Sequence, residues 1–362
     1  METESPTLRS GVAHRAFVGC RTTAARQARG RGIEVFDVLM DGTWHHRFTT
    51  LAGVNPSYLA VDSQRRALYC VHGDGDRCSS FRIEPSGSLR PLGGQNTQGT
   101  NPVHLTISPG LGWLVIANYA SGSVVALKIA ADGTLGEVHD RLMLPNRPGP
   151  HRTQQQGAHP HQVIFDPSGK WLLVPDKGGD AVHTVTLDEY SGKLQLVASM
   201  AVAPMSGPRH LVFSADGSVA FVVLELTSQV LSALFDASNG TLSAVRRVPT
   251  IPEEFTGENT GAGIALAPDG FSLYVSNRGH GSVVRLQVDA SSAALSSPGW
   301  TQVRSKVPRF IAFSPQSSTL VIANEDADNI VAMSAAHATV SLLAATGSPV
   351  CVAFTPPIEG NS

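Results

Sequence analysis

One short segment occurs seven times in this chain, and that repetition constrains its fold more than any other feature. Six copies open on a proline and continue as alternating apolar residues: NPSYLAVD (55–62), NPVHLTIS (101–108), HPHQVIFD (159–166), GPRHLVFS (207–214), VPRFIAFS (307–314) and SPVCVAFT (348–355). A seventh, TGAGIALA (260–267), lacks the proline. In chain order the first six lead through a turn into a second apolar run with a polar end: ALYCVH (67–72), WLVIAN (113–118), WLLVPD (171–176), VAFVVLE (219–225), SLYVSN (272–277) and TLVIAN (319–324). Third runs such as SVVALKIA (123–130) and AVHTVTLD (181–188) follow, then a Gly-containing turn and a fourth short run. Four short strands recurring about every 50 residues predict an all-β, seven-bladed β-propeller.

The two ends of the chain complete the count. After SPVCVAFT only PPIEGNS remains, while HRAFVGC (14–20) reads as a second strand and GIEVFDV (32–38) as a third. One blade is therefore expected to combine strands from both termini, which leaves no open edge in the ring. Residues 1–362 form a single domain in this reading, with 1–13 and 356–362 as flexible tails.

Composition excludes several classes of function. Charged residues make up 15% of the chain, apolar ones 42%, and the net charge is -2. There is no electrostatic footprint for nucleic acid or an acidic membrane surface. Arg26, Arg29 and Arg31 are the densest basic spot and read as a solvated loop. No apolar run reaches the ~18 residues of a membrane helix. The first residues, METESPTLRS, are not those of a secretory signal, and Cys20, Cys70, Cys78 and Cys351 show no CxxC spacing. Free thiols and a cytoplasmic address are expected.

In a propeller the leading ends of the first strands converge on one mouth of the central channel. The positions after each proline bring Ser57, Tyr58, His104, His161, Arg209, His210, Arg309 and Phe310 there, and the fifth copy brings Ala262 and Gly263. The ends of the second strands are expected to add His72, Asn118, Asp176, Glu225, Asn277 and Asn324, with Arg278 next door. Such a mouth suits a small anionic molecule. The spacing of His159 and His161 is compatible with metal ligation, with catalysis or with packing. No carboxylate or cysteine stands beside them, so neither a metal nor a cofactor is expected.

The chain resembles the seven-bladed β-propeller lactonase family, which includes 6-phosphogluconolactonases and fungal carboxy-cis,cis-muconate cyclases. The resemblance runs through NPVHL, ANYASGSV, HPHQVIFDPSGKWLLVPD, GPRHLVFSADG, APDGFSLYVSNRGHGSV and VPRFIAFSP. It implies His161, Arg209, Glu225 and Arg278 as catalytic residues. His104, His159, His210, Asn118, Asn277, Arg309 and His280 are expected to bind the substrate. The implied activity is hydrolysis of a sugar-acid lactone, 6-phosphogluconolactone above all, in the pentose phosphate pathway. Muconate cyclisation and a non-catalytic scaffold are the alternatives. A monomer or small homo-oligomer is expected. Two departures stand out: family members commonly carry an acid and an imidazole where this chain has Gly263 and Ala265, and a carboxylate where it has Gly73.

Overall fold

Each repeated segment becomes the first strand of a four-stranded antiparallel sheet, and the seven first strands pack side by side around a common channel. The computed structural model describes residues 11–289, 292–315, 317–334 and 338–358. The first strands are Pro56–Asp62, Pro102–Ile107, Ile164–Phe165, Pro208–Phe213, Thr260–Leu266, Pro308–Phe313 and Pro349–Phe354, opening blades 1 to 7. Blade 7 closes the ring as expected: Pro349–Phe354 pairs with Val12–Cys20, followed by Ile33–Leu39 and Trp44–Thr50. The described residues include one helical element, a 3-10 turn at Ala24–Arg26, and no helix long and apolar enough to cross a membrane.

The prolines mark a local device. Asn55, Asn101, Gly207 and Ser348, each just before a proline, have φ of 38°, 54°, 61° and 44°. Register then shifts between Pro56 and Tyr58, Pro102 and His104, Pro208 and Leu211, Pro308 and Phe310. A bulge of this kind re-aims side chains at the end of a ladder. Here it points the residues after each proline into the channel mouth.

Blade 3 departs from expectation. Its first strand was expected from His159, but only Ile164–Phe165 pairs, with an isolated bridge from Pro160 to Asp176. Between them His161 N still donates to Pro175 O at 2.9 Å, and the next two residues bond to other blades. Val163 N donates to His104 Nδ1 at 3.4 Å, and the Gln162 side chain clamps Leu211 N at 2.7 Å and Leu211 O at 3.3 Å. His159 and His161 flank the Pro160 bridge and lie outside any regular strand.

Second strands such as Ala67–His72, Trp113–Asn118 and Val219–Leu224 are buried along their whole length. Both their faces are covered by adjacent blades, which is why they read as unbroken apolar runs. The core is correspondingly divided into seven clusters, one at each blade junction. The tails are shorter than expected. Val12 lies in a strand, and Ile358 N donates to Ala13 O at 2.7 Å. Residues 1–10 and 359–362 lie outside the described residues.

Gly263 has a packing reason. A Cβ there would lie 2.9 Å from Ile311 N, so the bare glycine lets the first strands of blades 5 and 6 approach. Its own N–H donates to Ser276 Oγ at 2.9 Å.

Candidate active site

Two rings of residues build the mouth. The first is the position after each proline, which supplies His161, Arg209 and Arg309 as expected, with Ser57 beside them. The second is the residue just beyond six of the second strands, Arg21, Gly73, Tyr119, Lys177, Glu225 and Glu325, and in blade 5 Arg278, the last residue of the strand Ser272–Arg278. Six of these are held alike. The N–H groups of Arg21, Gly73, Tyr119, Lys177, Glu225 and Glu325 donate to Ser348, Asn55, Asn101, His159, Gly207 and Val307 O at 2.8–3.0 Å.

The expectation for this second ring was one residue out of register in most blades. Asn118 and Asn277 do not reach the mouth. Each is fully buried and turned toward the loop that links adjacent blades. Asn118 Nδ2 donates to Thr97 O at 3.2 Å, Asn277 Nδ2 to Thr250 O at 2.7 Å, and Asn324 Nδ2 to Val303 O at 3.2 Å. His72 bonds to Val54 O and Ser79 Oγ, and Asp176 accepts from His159 N, Gly178 N and Gly179 N. Successive strand residues face opposite ways, so a one-residue offset exchanges clamp for mouth. Lys177, Arg21 and Glu325 were missed for this reason.

At the centre of one side lies Glu225, buried and surrounded by cations. Lys177 Nζ donates to its Oε1 at 2.8 Å, Arg278 Nη2 lies 3.0 Å from Oε1, and Arg209 Nε lies 3.1 Å from Oε2 without being aligned for a hydrogen bond. Burial raises the Glu225 carboxyl, but Arg278, Lys177 and Arg209 outweigh it and hold it well below the usual carboxylate range. Arg209 is nearly fully buried, and its Nη1 donates to Ala262 O at 2.7 Å. Burial, followed by repulsion from Arg278, pushes it down to about 9, which keeps it charged at neutral pH. Lys177 also donates to Gln154 Oε1 at 2.6 Å, from the loop between blades 2 and 3. On the opposite arc, Glu325 lies 3.3 Å from Arg309 and 3.4 Å from Arg21.

The imidazoles form the floor and wall. His104 packs on Tyr58 with ring centroids 3.9 Å apart, and His210 lies 5.5 Å from His104 and 5.2 Å from His161. Burial lowers all three, with Arg209 adding to it: His104 to about 3, and His161 and His210 well below the ordinary histidine value. They are neutral at pH 7.

Two expected substrate contacts sit elsewhere. His159 stacks on Tyr119 at 4.5 Å and 9° and bonds to Tyr119 O, so its ring supports the wall from behind. His280 is engaged by Ser282 Oγ at 2.7 Å and by the Phe255 ring, on the rim behind Arg278.

A small cavity is lined by Arg21, Ser57, Tyr58, Val103, His161, Arg209, His210, Arg309, Phe310 and Val350. Around it, His161 Nδ1, His210 Nε2, Ser57 Oγ, Arg21 Nε and Arg209 Nε have no hydrogen-bond partner among the described residues. A buried polar group left so costs roughly 1–3 kcal/mol. Their convergence marks a place for a ligand's oxygens. A larger cavity, between blades 6 and 7 around His14 and Trp44, lies outside this mouth.

Comparison with known proteins points the same way. A family profile described as "Lactonase, 7-bladed beta-propeller" matches residues 15–354. The chain is 30% identical over 308 residues to a Bacillus subtilis protein named 6-phosphogluconolactonase, covering 83% of this chain and 87% of the relative. It is 28% identical over 339 residues to a protein of that name from Formosa agariphila, covering 87% and 90%. The solved structure of a Pseudomonas aeruginosa periplasmic gluconolactonase matches with a TM-score of 0.85 at 30% identity, covering 94% of this chain and 99% of that one. With its seven blades, its closure by both termini and its cationic mouth, this chain belongs to the seven-bladed β-propeller lactonase family.

Proposed function

We propose that the mouth hydrolyses the lactone of a phosphorylated sugar acid, converting 6-phosphogluconolactone to 6-phosphogluconate. The observation that carries this reading is the set of buried, unpartnered donors around one cavity. Arg21, Arg209 and Arg309 line that cavity, with Lys177 and Arg278 beside it on Glu225, and the carboxylates facing these five cations are Glu225, Glu325 and Asp74, the last shared with Arg26. A phosphorylated lactone is a dianion near neutral pH, and its carbonyl becomes an oxyanion during attack. Relatives named 6-phosphogluconolactonase support the same substrate class.

In this mechanism water attacks the lactone carbonyl while the neutral His161 imidazole takes its proton, the negative charge of the bound substrate offsetting the burial and the cations, Arg209 first, that lower this imidazole in the free protein. Arg209, fixed by Glu225 and Ala262 O, faces the oxyanion of the tetrahedral intermediate. The ring C–O bond then breaks, and imidazolium returns the proton to the leaving alkoxide. Glu225 is not the base. A carboxylate held by three cations is a poor proton acceptor, and its work is to keep those cations in place. We also place the protein in the cytoplasm, a reading supported by four buried free thiols.

The test supplies 6-phosphogluconolactone, gluconolactone and carboxymuconate in parallel to the wild type and to His161→Ala. Acid release from the phosphorylated lactone, reduced about 100-fold or more in His161→Ala, is expected. Turnover of carboxymuconate with no lactone opening would replace hydrolysis by cyclisation, and inertness toward all three would make the propeller a scaffold.

A further inference from the structure

The Glu225 cluster belongs to blades 3, 4 and 5: Lys177 from blade 3, Arg209 and Glu225 from blade 4, and Arg278 from blade 5. Across the channel, blades 6, 7 and 1 contribute a second group of donors. Arg309 comes from blade 6, Arg21 from blade 7 and Ser57 from blade 1, and all three line the mouth cavity. We propose that Arg21, Ser57 and Arg309 form a second anion subsite, which takes the phosphate monoester end of the substrate while the Glu225 side holds the reacting carbonyl. The identity of the rest of that substrate rests on the lactonase reading above.

Three observations carry the assignment. Arg21 is buried, and its carboxylate partners are shared. Its Nη1 reaches Asp74 Oδ2 at 3.2 Å, but Asp74 also binds Arg26 Nε at 2.8 Å and Asn55 Nδ2 at 2.9 Å. Its Nε lies 3.4 Å from Glu325, which also serves Arg309, and makes no hydrogen bond. A guanidinium whose donors outrun its acceptors in a buried place has capacity for a further anion. Secondly, Ser57 Oγ is buried with no partner. Thirdly, Gly73 keeps the two side by side. A Cβ at Gly73 would lie 2.7 Å from Ser57 Oγ and 3.2 Å from Arg21 Nη1, so the hydroxyl and the guanidinium flank one point that a side chain would obstruct. Two guanidinium groups and a hydroxyl are a set suited to the several oxygens of a phosphate monoester.

The experiment compares kcat/KM on 6-phosphogluconolactone with that on gluconolactone, which lacks the phosphate, for wild type, Arg21→Gln and Ser57→Ala. The preference for the phosphorylated lactone is expected to fall about 30-fold in Arg21→Gln and about 5-fold in Ser57→Ala, mainly through KM. Should Arg21→Gln fail to fold, Ser57→Ala decides alone, since it removes only a hydroxyl with no protein partner. A preference within about 2-fold of wild type in the folded variants overturns the subsite while leaving lactone hydrolysis standing. If the wild type opens neither lactone, the hydrolysis reading falls, and calorimetric titration with 6-phosphogluconate and gluconate decides the subsite separately. Phosphogluconate affinity reduced about 10-fold or more in the variants, with gluconate affected less, supports it. Equal affinity in wild type and variants overturns it.

Discussion

Replacing Glu225 by Gln is expected to lower both turnover and stability, turnover by about 1000-fold and stability by about 3 kcal/mol or more. The substitution keeps the shape and removes one charge. Lys177, Arg209 and Arg278 would then face one another in a buried cluster without the carboxylate that binds all three. Breaking a buried ion pair is expensive because the remaining partner stays desolvated, and here three partners remain. Turnover falls because Arg209 loses the ion pair that sets its guanidinium toward the oxyanion. A second substitution separates charge from position. Lys177→Met in the Glu225→Gln background removes one stranded cation and should return about 1–2 kcal/mol of stability, with turnover still low. Urea titrations and initial rates on the same three proteins measure both effects. A Glu225→Gln variant as stable and as active as wild type would mean that the cluster is not held as described.

The second large effect is sensitivity to mild acid. His104, His161 and His210 are held neutral by burial, with Arg209 adding to it, whereas in an unfolded chain each would titrate near 6.5. Their folded values are therefore lowered. Below about pH 6.5 the unfolded chain binds protons that the folded protein refuses, so stability falls as pH drops. Each imidazole that is protonated only in the unfolded chain adds about 1.4 kcal/mol per pH unit to that loss, so the three together make the fall below about pH 6 steep. Glu225 adds to the same trend at lower pH. Its folded value is depressed, so the stability from its ion pairs is present above its unfolded value near 4.5 and is lost as pH falls through the folded one. His104→Phe retains a ring against Tyr58 and should make the acid limb shallower by about 1.4 kcal/mol per unit. Urea unfolding at a series of pH values from 7 to 5 gives the slope. A flat profile over that range would show that these imidazoles are not shielded from protons.

How much of this was legible depends on the kind of signal. The blades were readable because proline, the residue before it and the apolar run after it recur together, and closure by both termini followed from counting strands. The first ring was readable too, since His161, Arg209 and Arg309 sit at a fixed offset from a proline. The second ring was not, because a polar residue ending an apolar run looks like the one that meets solvent. In Asn118, Asn277 and Asn324 it is instead a buried clamp on the neighbouring loop, and the mouth begins one residue later with Tyr119, Arg278 and Glu325. Glu225 escaped that error because Leu224 occupies the clamp position in blade 4. Arg21 has the same offset from Cys20 in the closing blade, and applying one register to all seven copies would have found it. The paired histidines misled through their spacing. His161 faces the cavity, whereas His159 stacks on Tyr119 and bonds to its carbonyl oxygen, a packing role that spacing alone does not distinguish from a contact with the mouth.

The most direct test of the whole account is a crystal structure of the protein with 6-phosphogluconate bound. The ligand is expected across the mouth, its phosphate on Arg21, Ser57 and Arg309 and its carboxylate end beside His161 and Arg209. An empty mouth at saturating ligand, or 6-phosphogluconate seated elsewhere on the propeller, would contradict it.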